Sequence, residues 1–302
     1  MGIIKCIGNT PMACIENINP NPNVTLLAKL EGANPGGSVK DRTALYMIEH
    51  AEKNGSLTKD RIILEATSGN TGIGLAMIAA AKGYRVKLTM PACVSIERRR
   101  ILEAFGAEIL LSPSDEGTDG AIKLAASLFE AEPERYFMPN QFDNPVNPLA
   151  HYETTGAEIL EQTNGRITHF IAGIGTSGTI MGAGRRLKEF NSSIKIIGAE
   201  PTIKHRIQGL KNMSESIVPK IFDPTMLDER IIVNDDEAFN TTRMLAIKEG
   251  LFLGISSGAA MHIAIQMSGE LKEGTIVVLC PDRGDRYLST SLFASVCGKC
   301  PP

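Results

Sequence analysis

Asn34-Pro35-Gly36-Gly37-Ser38-Val39-Lys40-Asp41-Arg42 sets one lysine behind a proline and two glycines, just where a helical pattern begins. Pro35 fixes one backbone angle, and Gly36 and Gly37 permit other atoms to come close. Ser38 and Asp41 are spaced as a capping box, so Ser38 is expected to cap the helix. Lys40 then falls in the first helical turn and projects from a rigid corner. A lysine partly withdrawn from water has a lowered pKa and serves as a nucleophile or Schiff-base partner. The same residues equally suit an ordinary surface lysine at a capped helix start, and the rest of the chain has to decide between the two.

Working outward, residues 24–30 read as a strand before this corner, and the helix after it places Ala44, Ile48 and Ala51 on one face and stops at Gly55. Strands are expected at 61–66, 85–90, 108–111 and 136–138, with helices through 73–82, 95–105 and 118–130 between them. Residues 139–148, rich in Asn and Pro, read as a connection. A second run follows: a largely helical 147–163, strands at 169–174, 194–200, 230–233 and 275–279, and helices opening after Gly175, Asp235 and Gly254. Residues 201–229 read as irregular. Alternation of strand and helix makes this an α/β protein of two domains, each an open, mostly parallel twisted sheet with helices on both faces.

Length and composition fit that picture. The 302 residues are too many for one small core, and 43% hydrophobic with 22% charged residues is ordinary for a globular protein. A net charge of -3 implies no polyanionic partner, so no nucleic acid, and no apolar run approaches a membrane span. The start MGIIKCIGNTP lacks a signal-peptide pattern, and a cytoplasmic protein is expected. Cys6, Cys14, Cys93 and Cys280 are scattered like reduced thiols, whereas Cys297 and Cys300 form a CxxC that suits a redox pair, half a metal site or a mobile tail.

In open parallel sheets, ligands bind at the carboxyl ends of the strands. Four loops sit at such places: 34–42, 67–72, 175–179 and 254–258. Gly175-Thr176-Ser177-Gly178-Thr179 has the composition of a phosphate cup: backbone N–H groups, three hydroxyls and the positive end of a helix. A tight strand-to-helix turn would also want its glycines. Gly173-x-Gly175-x-x-Gly178, with Glu200 ending the next strand, matches the dinucleotide fingerprint as well, and taken alone would suggest a dehydrogenase. That reading leaves Lys40 and Thr67–Thr71 without a role. The latter loop lies before a helix start and suits a carboxylate, with Asn70 offering an amide to a phenolic oxygen; its bland alternative is a well-capped helix. Lysine, phosphate cup, carboxylate cup and serine loop together suggest pyridoxal 5'-phosphate acting on an amino acid.

These motifs resemble the pyridoxal-phosphate β-family (fold type II), and within it the cysteine synthases, also called O-acetylserine sulfhydrylases. The resemblance rests on IGNTP at 7–11, KLEGANPGGSVKDR at 29–42, EATSGNTGIGLAMIAAAKGY at 65–84, GIGTSGTIMG at 173–182, GISSGAA at 254–260 and DRGDRYLS at 282–289. It spans all but about the last dozen residues, and GRITHF, GTIMG and DRGDRYLST are most like the B isoform. It implies that Lys40 carries the aldimine and moves the α-proton, that Asn70 bonds the phenolic oxygen, and that Gly175, Thr176, Ser177, Gly178 and Thr179 hold the phosphate. It further implies that Ser256 faces the pyridine nitrogen and that Thr67, Ser68, Thr71 and Gln141 bind the substrate carboxylate. Ser177 is a departure, since the family often has glycine there.

The implied reaction replaces the acetate of O-acetyl-L-serine by sulfide or thiosulfate through an α-aminoacrylate intermediate, giving L-cysteine or S-sulfocysteine. Cystathionine β-synthase and serine or threonine dehydratase share the fold and are the nearest rivals. The resemblance also implies a homodimer, leaves open whether a serine acetyltransferase binds the cleft, and divides the chain into a smaller, mobile unit, 36–145, and a larger one, 1–35 with 146–302. Lys211, in the loop expected to cross the cleft mouth, is either a cation for thiosulfate or a solvated loop charge.

Overall fold

The structure is a computed structural model and describes residues 2–67 and 69–293. Ser68 and the Cys297–Cys300 pair, both singled out above, lie outside the described residues. Two sheets organise the chain. The first has strand order β1-β2-β10-β7-β8-β9, with β1 Met12–Cys14, β2 Val24–Leu30, β7 His169–Gly173, β8 Lys195–Pro201, β9 Glu229–Val233 and β10 Gly274–Cys280. The second has order β5-β4-β3-β6, with β3 Ile62–Ala66, β4 Arg85–Pro91, β5 Glu108–Ser112 and β6 Tyr136–Phe137. Every pairing is parallel except β1 with β2.

Parallel strands covered on both faces must be apolar at successive positions. Ile171, Ile197 and Val278 sit in one core with the helices α8 Asp235–Glu249 and α9 Ile255–Glu270, while their neighbours Phe170, Ile196 and Val277 sit in another with α6 Gly156–Gln162 and α7 Gly178–Phe190. The second sheet repeats the arrangement. Ile63 and Leu88 pack with α1 Lys40–Lys53, α2 Asn70–Lys82 and α3 Ile96–Ala104, whereas Ile62 and Leu64 pack with α4 Gly117–Ala131. The expected α/β architecture is therefore present. Unforeseen was β1, an antiparallel edge strand of three residues, too short to show any period. The helical stretch at 147–163 is real but broken: α5 Val146–Ala150 and α6 flank a π-helical turn at His151–Thr155.

The capping box expected at Ser38 and Asp41 does not form. Val39 is the cap residue and makes no side-chain cap bond. Gly37 turns the chain with φ 80°, which brings Asp41 back so that its carboxylate accepts the Gly36 N–H at 2.6 Å. Ser38 bridges to Asp282 in the backbone, and its hydroxyl accepts the Lys40 N–H at 3.2 Å.

What fixes the start of α1 is Arg42, 1% exposed. Its guanidinium donates to both oxygens of Glu31, at 2.8 and 2.9 Å, and to both oxygens of Glu158 on α6. Lys29 of β2 adds a bond to Glu158 at 2.7 Å. Burial would raise the Glu158 carboxyl, but the bonds and charges of Arg42 and Lys29 prevail and hold it down at about 2. A depressed carboxylate contributes stability that is present above its unfolded pKa, near 4.5, and is lost as pH falls toward 2. Glu158→Gln is accordingly expected to cost roughly 3 kcal/mol at pH 7, because it leaves buried cations without their partner, and the cost should shrink below pH ~4. Urea unfolding of both proteins at pH 7 and pH 3.5 measures it; a penalty independent of pH contradicts the assignment.

Candidate active site

The carboxyl ends of β2, β3, β7 and β10 converge on one cavity, as open parallel sheets dictate. It is lined by Lys40, Asn70, Thr71, Gln141, Gly175, Thr176, Thr179, Lys211 and Ser256, nine of the residues marked in the sequence. Lys40 is half-buried at the first turn of α1. Burial lowers its pKa to about 8, against the opposing pull of Asp282 and Glu31, so roughly a tenth of it is the neutral amine at pH 7, far more than for a lysine in water.

The 175–179 loop curls at the head of α7. Ser177 holds a left-handed backbone, φ 68°, and its hydroxyl is buried with no hydrogen-bond partner among the described residues. A Cβ on Gly175 would collide with the Gly209 carbonyl, and one on Gly178 with the Asn147 amide. The loop thus presents backbone N–H groups, hydroxyls and a helix start in a space only glycine allows, and these residues fit a phosphate. Thr176 accepts from Asn147 Nδ2 at 3.2 Å. Thr179 lies 3.3 Å from His151 Nε2, and Thr43 lies 3.0 Å from the same nitrogen. Burial, then the charges of Lys40 and Arg42, keep His151 neutral.

Thr67 and Thr71 are turned to different tasks. The Thr67 hydroxyl accepts the N–H groups of Gly69 at 3.0 Å and Gly72 at 3.2 Å, so it closes the head of α2, and its own hydrogen remains to give. Thr71 donates to Gln141 Oε1, and Gln141 in turn donates to the Ala66 carbonyl at 2.8 Å. Behind Gln141 stands Glu65, fully enclosed. Burial raises its carboxyl to about 8, despite hydrogen bonds from the Gln141 and Asn140 backbone, and it is protonated at neutral pH. Asn70 is held at both ends of its amide: Nδ2 donates to Asp282 Oδ2 at 2.7 Å and Oδ1 accepts from Arg286. One amide hydrogen is left for a further acceptor.

Several residues of this site carry no role in the reading of the sequence. Asp282 is fully buried and accepts from Asn70 and from the Tyr287 hydroxyl, the latter at 2.7 Å. Arg286 ties Asn70 to the Gly36 carbonyl, and Arg98 reaches Tyr287 at 2.7 Å and Gln208 at 2.5 Å. The signal is in the sequence: a charged run, Asp282-Arg283-Gly284-Asp285-Arg286, follows the buried strand β10 after Pro281. Asn147 and His151 gave none, lying in a stretch that reads as connection and helix. Lys211 is not a solvated loop charge. Its side chain is 8% exposed, 2.9 Å from Asp119 on α4 and 5.2 Å from the Phe142 ring centroid. The dinucleotide reading loses its acidic anchor: Glu200 is buried, accepts the Met213 N–H at 2.7 Å and pairs with Arg230 at 3.0 Å.

A lysine, a loop at a helix head whose groups suit an anion and a buried serine at the start of α9 gather around one cavity. The chain belongs to the family described as pyridoxal-phosphate dependent enzymes, which it matches over residues 3–282. Within that family it is 49% identical to a cysteine synthase of Aquifex aeolicus, over 97% of this chain and 92% of that one. It is also 46% identical to cysteine synthase B of Salmonella typhimurium, over 96% and 95%. Among solved structures it is similar to a hydrogen sulfide-producing enzyme of Fusobacterium nucleatum, with TM-score 0.91, 44% identity and coverage of 95% and 99%. Among the described residues no helix is long and apolar enough to cross a membrane.

Ser177 carries a backbone conformation that costs a non-glycine residue about 1–2 kcal/mol. Ser177→Gly is therefore expected to stabilise the cofactor-free protein by about 0.5–1 kcal/mol after the entropy of the unfolded chain is counted, while cofactor affinity falls about tenfold for the lost hydroxyl. Thermal unfolding and pyridoxal-phosphate titration measure the two effects, and a lowered melting temperature contradicts the strain.

Proposed function

We propose that the chain makes L-cysteine from O-acetyl-L-serine and sulfide, with pyridoxal 5'-phosphate held on Lys40. The observation that carries this is the lowered pKa of Lys40 in a cavity it shares with the 175–179 loop, the Thr71–Gln141 pair and Ser256. When bound, the cofactor supplies the electron sink that lets an α-proton and a β-substituent be lost. Everything else is done by the chain. The 175–179 loop binds the phosphate through its N–H groups and hydroxyls, and Asn70 gives its remaining amide hydrogen to the phenolic oxygen. Ser256 faces the pyridine nitrogen. A hydroxyl does not protonate that nitrogen as a carboxylic acid would, so loss of the α-proton is coupled to departure of acetate. Thr67, Ser68, Thr71 and Gln141 bind the substrate carboxylate, and the protonated Glu65 behind them adds no negative charge there. Lys40 takes the α-proton and returns it after sulfur has bonded to the β-carbon.

In this reading residues 36–145 form the smaller, mobile unit, residues 1–35 with 146–302 form the larger, and the cavity between them is the active site. Contacts such as Asn70 with Asp282 then break and form with substrate. The relatives' names support cysteine synthesis over the dehydratase and cystathionine reactions. We further propose a cytoplasmic homodimer whose cleft accepts a serine acetyltransferase.

Lys40→Ala is expected to lower cysteine formation by at least about a thousandfold while circular dichroism is unchanged, because covalent and proton-transfer roles are lost together. Near-normal synthesis by this variant sinks the proposal. Ser256→Asp is expected to retain cofactor but slow β-replacement by about tenfold or more, since a carboxylate would favour a protonated pyridine. Stopped-flow spectra and turnover matching those of the unsubstituted protein would remove Ser256 from the ring nitrogen.

A further inference from the structure

Outside the catalytic cavity lies a larger vestibule, and the two share Arg98, Thr118, Gln208, Gly209, Leu210 and Lys211 as a common neck. Two side-chain bridges span that neck. Arg98 of α3 donates to Gln208, and Asp119 of α4 accepts from Lys211 Nζ at 2.9 Å. The second oxygen of Asp119 accepts the Ile217 N–H at 3.1 Å, so the carboxylate is fixed from both sides. Lys211 is fixed as well, its backbone N–H bonded to the Ile174 carbonyl at 2.8 Å.

The charges around this passage do not suit a multiply charged anion. The vestibule lining holds the carboxylates of Asp115, Glu116, Asp119 and Glu215. Its cations each face an acid: Arg98 with Asp282 at 3.7 Å, Arg206 with Asp235 at 2.9 Å, and Lys211 with Asp119. His205 adds no charge at neutral pH, because burial lowers its pKa, against the pull of Asp235 and Glu215. A dianion entering here must displace Asp119 from Lys211 and then sit beside the displaced carboxylate. Sulfide, which enters as neutral hydrogen sulfide or as a small monoanion, meets neither demand.

We infer that Asp119 is a specificity-determining residue: by holding Lys211 across the neck, it favours sulfide over dianionic sulfur donors such as thiosulfate. This rests on the function proposed above. Asp119 touches no reacting atom and acts through Lys211. The chemistry it sorts is the same for both donors. A sulfur–carbon bond forms at the β-carbon, the carbon–oxygen bond to acetate breaks, and acetate leaves with the bonding pair. Sulfide gives cysteine and thiosulfate gives S-sulfocysteine, with no oxidant or reductant consumed.

The test measures kcat/KM for thiosulfate and for sulfide, with O-acetylserine saturating, in the holoenzyme and in its Asp119→Asn and Asp119→Asn/Lys211→Ala variants. Asp119→Asn keeps the size of the side chain and frees the Lys211 charge, so the thiosulfate-to-sulfide ratio is expected to rise about tenfold or more, the worth of one charged hydrogen bond. The rise should come through a lower KM for thiosulfate, a change that general loosening of the fold would not produce. In the double variant the gain should vanish. A ratio unchanged in Asp119→Asn overturns the inference, and so does a gain that survives removal of Lys211. Should Asp119→Asn fail to bind cofactor, Asp119→Ser reads the same ratio. If the unsubstituted holoenzyme makes no cysteine from sulfide, the proposed function itself fails, a result distinct from any of these.

Discussion

A buried guanidinium with four carboxylate bonds is the constraint on which the site depends. Arg42 stands two residues beyond Lys40, and its bonds to Glu31 after β2 and to Glu158 on α6 decide where the first turn of α1 lies. A buried charge pair contributes little net stability, since desolvation offsets attraction, but it tolerates no alternative geometry: any displacement leaves a charge unpaired in a dry interior. Thr10 and Asn34 complete the cluster by giving Glu31 further bonds at 2.7 and 2.8 Å. The IGNTP and NPGGSVKDR segments, distant from the catalytic cavity in part, are thereby tied to the position of a single amine.

A second network fixes what that amine faces. Asp282, just past the end of β10, collects Asn70, Tyr287 and the nearby Arg98, and Arg286 returns from the same turn to Asn70 and Gly36. Asp282 raises the pKa of Lys40 while burial lowers it further, and the balance near 8 leaves the lysine able to act as either nucleophile or acid. The two networks meet at residues 36–42. Proline and glycine at this corner therefore serve geometry: they let backbone atoms of Gly36 reach both Asp41 and Arg286.

Most of the fold was legible because both faces of the inner parallel strands, such as β3 and β10, are covered. Continuous runs such as Ile62-Ile63-Leu64 and Ile276-Val277-Val278 can be little else between glycine-bounded helices. β1 was not legible, because the three residues Met12-Ala13-Cys14 are too few to carry a period. The site was legible where chemistry is local in sequence, as in the hydroxyl and glycine loops. It was illegible where partners are far apart. Asp119 and Lys211 are separated by 92 positions, and nothing local to either announces the other. The capping box failed for a related reason. Ser38 and Asp41 have the right spacing, yet Gly37 turns the chain and the Ser38 backbone is bridged to distant Asp282, so the Ser38 hydroxyl takes the Lys40 N–H and the Asp41 carboxylate the Gly36 N–H instead.

Lys40 as the residue that carries the cofactor is the claim on which the proposed chemistry stands. Borohydride reduction of the holoenzyme followed by peptide mass mapping tests it most directly, because reduction makes the lysine–cofactor link permanent. The result expected is a phosphopyridoxyl mass on the peptide containing Lys40 and on no other. A label on Lys29, Lys211 or another lysine, or no label on protein incubated with pyridoxal phosphate, would contradict it.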